Sequence, residues 1–337
     1  MARLREEDYA YATARIRAIE NKLITGQRLD RLMDAKTPMD AVKLLIELGY
    51  GLGNTDTAQG AADVFEKLLS DEMRKTYMLL REILPNPGAV LLFMRRNDYL
   101  NGKIILKSEF LGQEHEALTD AGTLEPAKLS RMVRDRALGE MPEAFREGVL
   151  EAVETYGRTG DPQVIDFIMD KAMYKNMVSD AKEIGEASIL ELVNLLQDTA
   201  NLRIFIRARL LTKSREFLAK ALLEGSKIPA RTYLELADKP LEAALDEIRK
   251  MALSDLAEKL LEAVKGGSAI SSVEKVLDDY LMSHVKKSKY VAMGIEPVIA
   301  YLFYKEAEIR NVRLAITGKI NQIPQEIIRE RLRAVYA

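Results

Sequence analysis

Apolar residues return along this chain at intervals of three and four. Near its start Tyr9, Ala12, Ile16, Ile19 and Leu23 step by 3, 4, 3 and 4, which places them along one face of a helix. Leu195, Thr199, Leu202, Ile206 and Leu210 form a second stripe of the same kind. A closing segment opens at Pro324, suited to a first helical turn, and runs through Glu326, Ile327 and Ile328 to Val335. Segments that alternate Val, Ile or Thr with polar residues are scarce, and Ala, Leu, Glu, Lys and Arg dominate. The pattern predicts an all-α chain.

Two signatures recur three times. The first is a helix start with Pro followed by an acid and Ala: Pro38-Met39-Asp40-Ala41, Pro142-Glu143-Ala144 and Pro240-Leu241-Glu242-Ala243. Proline is tolerated in a first helical turn, and an early carboxylate suits the positive end of the helix dipole. The second is an acid, two residues, Asn, one residue, then a base. It reads Asp98, Asn101, Lys103; Asp198, Asn201, Arg203; and Glu308, Asn311, Arg313. Its acids lie 100 and 110 residues apart (198−98 and 308−198), and the prolines 104 and 98 apart (142−38 and 240−142). Two independent markers that keep one order and spacing three times define repeats of domain size.

The expected division is therefore 1–111 with an N-terminal helix over 6–24, then 112–224, then 225–337 with a C-terminal helix. Stretches bearing Gly and Pro, from Gly112 to Pro126 and from Gly225 to Pro229, separate the copies. The two terminal helices are expected to pack together and close the three units into a ring-like body.

Positions three apart share a helical face. On a helical wheel Asp198 lies at the edge of the Leu195/Leu202/Ile206 stripe, and Asn201 just beyond it. A carboxylate and an amide at such a margin ordinarily hydrogen-bond a neighbouring helix or loop end. The alternative reading is that the nine signature residues converge on a central cavity and offer polar contacts to a partner.

Composition narrows the chemistry. The chain has 337 residues, 47% hydrophobic and 30% charged, and its 50 basic residues face 52 acidic ones. A net charge of −2 gives no footprint for nucleic acid. There is no Cys, so disulfides and thiolate chemistry are excluded, and only His115 and His284 remain as imidazoles. The opening Met1 to Asp8 turns acidic where a secretory signal needs an apolar core. The longest apolar runs, Gly88 to Met94 and Pro297 to Tyr304, are too short to span a bilayer. The expected place is the cytoplasm, next to a membrane only through a bound partner.

Individual motifs add little. Gly49-Tyr50-Gly51-Leu52-Gly53 follows a helical stretch, whereas a dinucleotide-binding loop leaves a strand, so it reads as a helix cap and turn. There is no Walker A loop. Glu114-His115-Glu116 with Asp120 lacks the spacing that puts two imidazoles on one face. The stretch His284 to Tyr290, rich in Lys, reads as a solvated helix end, with contact to phospholipid headgroups or an acidic partner as the sharper alternative. No nucleophile, base and orienting group can be assembled. No catalytic site, cofactor or metal is expected.

The residues also resemble a known family. Tyr9-Ala10-Tyr11-Ala12-Thr13-Ala14-Arg15-Ile16-Arg17-Ala18-Ile19-Glu20 is similar to the first helix of the C-type subunit of the bacterial and archaeal V/A-type ATPase, a relative of the d-type subunit of the eukaryotic V-ATPase. Leu192 to Arg203 and Glu296 to Asn311 resemble two further stretches of that family. The resemblance covers essentially the whole chain.

It implies a funnel-like body of three helical domains in pseudo-threefold arrangement, seated on the cytoplasmic face of the membrane proteolipid rotor ring. Such a body receives the foot of the central shaft, made of D- and F-type subunits, and transmits torque between the ATP-hydrolysing head and the ion-translocating ring. It has no active site of its own. The competing readings are a helical scaffold for soluble partners, which would show shorter and more numerous repeats, and a carboxylate-based enzyme.

Overall fold

The three- and four-residue periodicity becomes helix in the computed structural model, which describes residues 4–51, 60–113, 118–225, 227–265 and 270–335. Among the described residues there are no strands. The helices run in chain order as α1 (Ala10–Ile19), α2 (Gln27–Asp34), α3 (Pro38–Glu47), α4 (Ala61–Ile83), α5 (Gly88–Leu111), α6 (Pro126–Arg134), α7 (Glu143–Thr159), α8 (Gln163–Ile184), α9 (Ala187–Leu210), α10 (Arg215–Ala221), α11 (Ala230–Glu235), α12 (Leu241–Met251), α13 (Ser254–Lys265), α14 (Ile270–Val285), α15 (Glu296–Ile320) and α16 (Gln325–Arg331). They form two compact units, one of Met1–Pro87 with Asp278–Ala337 and one of Gly88–Leu277.

In the first unit α15 is the centre. Every residue from Pro297 to Lys305 is buried, so this helix is enclosed on all sides rather than along one stripe. Its neighbours are α1, α2, α3, α4 and α16. Ile309, Val312 and Ile316 pack with Leu32, Leu45, Phe65 and Leu69 in one core. The N- and C-terminal segments thus share a core. Side-chain contacts extend to the surface, where Arg329 of α16 meets Asp30 of α2 at 2.5 Å.

The opening helix departs from the expected 6–24. Glu6–Tyr9 and Glu20–Lys22 are 3-10 turns flanking α1, and Leu23 is extended, with φ −55° and ψ 143°. A continued α-helix would turn the Ile24 N–H onto the carbonyl of Glu20. Instead it donates to the Glu308 carboxylate, and a competing acceptor of full charge ends the helix there. The predicted stripe is otherwise as read: Tyr9, Ala12, Ile16 and Leu23 are buried and Ile19 partly so.

In the second unit α5 lies against α6 and α8, α7 against α8, α8 against α9, and α12 against α13. Tyr99 meets Phe145 edge-on at 5.0 Å between centroids, inside a core that includes Leu106, Val133, Val149, Ile165 and Met169. Each such buried aliphatic or aromatic side chain contributes about 2–3 kcal/mol over leaving it in water.

Helix ends follow the repeat. Pro38 opens α3, with the Thr37 hydroxyl accepting from the Asp40 N–H at 3.1 Å. Pro142 and Pro240 stand one residue earlier, as N-caps of α7 and α12. The three longest helices among the described residues, α5, α9 and α15, end in one way. Gly112, Thr212 and Gln322 follow their asparagines by 11 residues (112−101, 212−201, 322−311) and have φ of 61°, 49° and 54°. The next residue in each case donates back across the end: Gln113 to Ser108, Lys213 to Ala208 and Ile323 to Gly318, at 3.2, 2.8 and 2.8 Å. This is the left-handed helix stop that satisfies orphan carbonyls, here kept even where Thr and Gln carry a conformational cost of about 1 kcal/mol.

Gly225, with φ +84°, brings its backbone so near Ile228 that an added Cβ would lie 2.3 Å from the Ile228 carbonyl oxygen. Gly157, inside α7, has nothing near its Cβ position. Thermal denaturation is expected to show Gly225→Ala destabilised by about 2 kcal/mol or more, and Gly157→Ala unchanged or stabilised by up to about 1 kcal/mol.

Candidate functional site: three asparagine clasps and a buried ion cluster

An asparagine side chain carries one acceptor and one donor side by side, the same pair a peptide unit presents along its edge. Each signature asparagine uses both on a single downstream residue. Asn101 donates to the Thr119 carbonyl at 2.8 Å and accepts from the Thr119 N–H at 3.0 Å. Asn201 does the same with Leu223, at 3.1 and 2.8 Å. Asn311 does it with Arg333, at 3.0 and 2.9 Å. The partners lie 18, 22 and 22 residues beyond. All three asparagines are 1% exposed or less, so these bonds operate out of water and are costly to leave unmade.

The acid one turn earlier holds the next stretch of the same segment. Asp98 accepts from the Thr123 N–H at 3.0 Å, the Thr123 hydroxyl at 2.5 Å and the Leu124 N–H at 3.4 Å. Asp198 accepts from the Lys227 N–H at 3.1 Å. Thr123 and Lys227 each lie four residues past the clasped residue, so the first two copies share one arrangement. Burial pushes the Asp98 carboxyl above its ordinary pKa, and the donors from Thr123 and Leu124 offset this only in part.

The third acid is held differently. Glu308, 2% exposed, accepts from the Ile24 N–H and from the Tyr50 hydroxyl, both of them from the other end of the chain. Lys305, one turn earlier on α15, places its ammonium 2.7 Å from Glu308 and 2.7 Å from Glu72 of α4. The same ammonium lies 5.2 Å from the centre of the Tyr50 ring, within range of a cation–π contact. Tyr50 is aimed inward by the turn after α3. Gly49 has φ +91°, and the Tyr50 N–H reaches back to Leu45 at 3.0 Å. The Gly49 to Gly53 motif therefore begins with the expected helix cap; Leu52 and Gly53 lie outside the described residues.

The electrostatics of this cluster follow from its charges. Burial would push Glu72 up, but Lys305 and Lys75 overcome it and hold the carboxyl below its ordinary value. Burial would push Lys305 down, and Glu308 and Glu72 reverse that, leaving it above the usual lysine range. Tyr50 is driven well up, first by burial and then by the Glu308 charge.

The basic signature members lie outside the clasps. Lys103 pairs with Asp170 at 2.7 Å and Arg313 with Glu66 at 2.9 Å. Arg203 lies within electrostatic reach of the Tyr174 phenol. The two pairs are solvent-screened and contribute under about 1 kcal/mol each. Asp198 and Asn201, placed by the helical wheel at the margin of a stripe, are fully buried, because α9 is covered on more than one face. Sequence reasoning passed over Tyr50, Glu72 and Lys305. The available signal was a Lys that ends the apolar run from Pro297 to Tyr304, one turn before the signature acid.

Among the described residues no group of three His, Asp or Glu side chains is arranged to hold a metal ion. Glu114, His115 and Glu116 lie outside the described residues. His284 is partly buried near the end of α14. An open groove along α2 and α3 is lined by Arg31, Asp34, Lys36, Asp40, Lys43 and Glu47, charges of both signs on a wetted surface. No helix among the described residues is long and apolar enough to cross a membrane.

The fold and these clasps define an all-helical body in which three long helices each fasten, by buried polar side chains, the chain that follows them. The chain belongs to the ATP synthase (C/AC39) subunit family, whose model matches residues 12–331, and so to the subunits of V/A-type rotary ATPases. Among its relatives, the C-type subunit of the V-type sodium ATPase of Enterococcus hirae is 27% identical over 323 residues, spanning 94% of this chain and 98% of that protein. The C-type subunit of the A-type ATP synthase of Methanocaldococcus jannaschii is 25% identical over 351 residues, spanning 96% and 86%. That of Thermococcus kodakarensis is 23% identical over 331 residues, spanning 96% and 89%.

Asn201→Ala removes two buried hydrogen bonds and strands the Leu223 backbone groups. Its expected cost is about 3 kcal/mol by urea denaturation, against under about 1 kcal/mol for Arg313→Ala. The Glu72 carboxyl, held below its ordinary value, stabilises the fold fully above the ordinary carboxylate range. That contribution is lost as pH falls through its lowered pKa. Urea midpoints of the natural protein and Glu72→Gln are therefore expected to converge on acidification. Lys305, raised, stabilises below the ordinary lysine range and loses this only as pH rises through its raised value. Lys305→Met is expected to cost about 3 kcal/mol or more at neutral pH, because two carboxylates lose their buried cation.

Proposed function

We propose that the chain is the non-catalytic central-stalk rotor subunit of a V/A-type ATPase or ATP synthase. It serves as a socket that links the central shaft to the membrane rotor ring and transmits torque for ATP-coupled ion transport. Its three repeats, 1–111, 112–224 and 225–337, form three similar helical domains in a pseudo-threefold, funnel-like arrangement. Its partners are the D- and F-type shaft subunits above and the proteolipid ring below. It sits at the cytoplasmic face, held to the membrane through the complex.

The observation that carries this reading is the triple clasp in a chain matched over nearly its whole length by rotary ATPase subunits. A spacer under torque fails by shear between elements, and shear is opposed by short directional bonds in a dry interior. Three long helices each hold a distant stretch of chain by two reciprocal hydrogen bonds, and in the third repeat a buried ion cluster adds a further tie. The nine signature residues are framework in this reading: six buried acids and amides that fasten the chain, and three bases outside the clasps. No cofactor or metal is part of the proposed role.

The test is affinity purification of the tagged protein from its native membranes in mild detergent, with mass spectrometry of what accompanies it. Recovery of head, shaft and small proteolipid subunits is the expected outcome. Recovery of soluble proteins alone, with the chain absent from washed membranes, overturns the socket in favour of a helical scaffold.

A further inference from the structure

Between α14 and α15 the chain makes a 3-10 turn, Lys286–Tyr290. With three residues per turn, positions i and i+3 lie on one side, so Lys287 and Tyr290 share a face, and both are exposed. Tyr290 is 91% exposed and Met293 42%. Tyr290 is the most exposed large apolar side chain among the described residues, and it and Met293 stand beside Lys286, Lys287 and Lys289.

This loop is not slack. The Arg17 guanidinium of α1 donates to the carbonyls of Ser288, Lys289 and Val291, at 3.0, 3.2 and 3.2 Å. The Thr13 hydroxyl donates to the Gly294 carbonyl at 3.2 Å. The backbone on both sides of Tyr290 is thus fastened inward while the ring points out. Ser288 is turned in and buried. Burial and the neighbouring Lys289 lower the Lys286 pKa, with Asp279 the acid that opposes this, so the ammonium groups here are close enough to repel one another.

We propose that Lys286, Lys287, Lys289, Tyr290 and Met293 form an anchor for an anionic phospholipid surface, the lysines facing headgroup phosphates and the Tyr290 ring and Met293 entering the interfacial layer. Tyrosine at a headgroup boundary keeps its ring in an apolar layer and its hydroxyl in water, and lysines beside it draw on the negative surface potential. The composition favours lipid over an acidic protein. Protein interfaces are depleted in Lys and enriched in Arg, and this turn has three Lys and no Arg. A diffuse anionic layer needs charge without fixed geometry, which the lysine ammonium supplies. The proposal requires only that the chain works at a membrane face, which its family supports, and not that it is the socket proposed above.

The sequence contains no Trp, so Tyr290→Trp gives a single fluorescent reporter at the site. The full-length variant, with unchanged circular dichroism and melting, is mixed at low salt with vesicles of one part phosphatidylserine to three of phosphatidylcholine. The expected result is a blue shift and co-sedimentation that vanish at high salt and with pure phosphatidylcholine. In the double variant Lys287→Glu, Lys289→Glu the bound fraction is expected to fall about tenfold or more. No shift with any vesicle overturns the proposal. So does a shift equal on neutral vesicles, or one produced by poly-glutamate and not by lipid. None of these depends on which subunits accompany the chain from membranes, so the socket and the anchor fail separately.

Discussion

A buried asparagine whose amide both gives to and takes from the backbone of one distant residue is the interaction on which the rest depends. The geometry is that of a strand pair reduced to one residue, with the side chain replacing one strand. A segment leaving a helix end has backbone groups that must find partners once buried. In α5, α9 and α15 the asparagine supplies them, and in the first two the acid one turn back supplies more. The helix can then be followed at once by a segment lying along its own flank, and the next helices start from a fixed point.

The stop at each helix end belongs to the same device. A left-handed residue 11 positions after the asparagine reverses the chain, and the returning segment meets the amide. Thr212 and Gln322 hold a conformation that glycine would adopt more easily, which shows that the direction of return, rather than local preference, sets the backbone there. At Gly225 the approach to Ile228 is too close for any side chain.

The third copy shows what happens when the acid finds partners elsewhere. Glu308 is tied to Ile24 and Tyr50, and the extra negative charge of Glu72 is met by Lys305. The N-terminal segment thereby becomes part of the structure around the last long helix. One buried and one partly buried carboxylate around a single ammonium, with a phenol and a backbone N–H as further donors, form a network with much to lose from any single deletion. It gives the first unit a pH dependence that the asparagines, which do not titrate, lack.

How much of this was legible beforehand depends on the range of the interaction. Helical content followed from periodicity and composition, because apolar stripes and helix propensity are local. The three acids and asparagines were found by their spacing, and the likeness of Glu296 to Asn311 to a known family pointed to the same region. Hydropathy placed Asp198 and Asn201 only at a margin, since a wheel knows one face of a helix and not how many neighbours cover it. That Asn201 would meet Leu223, or Glu308 meet Ile24 across 284 positions, is fixed by where helices pack, and a sequence carries no term for that distance. Tyr50 and Glu72 had no marker, because their roles exist only once α3, α4 and α15 are side by side. The sequence by itself determined the helical class, the helix starts marked by proline and the repeated residues. Tertiary structure alone decided which polar groups were taken out of water together, because burial and pairing belong to the packed chain.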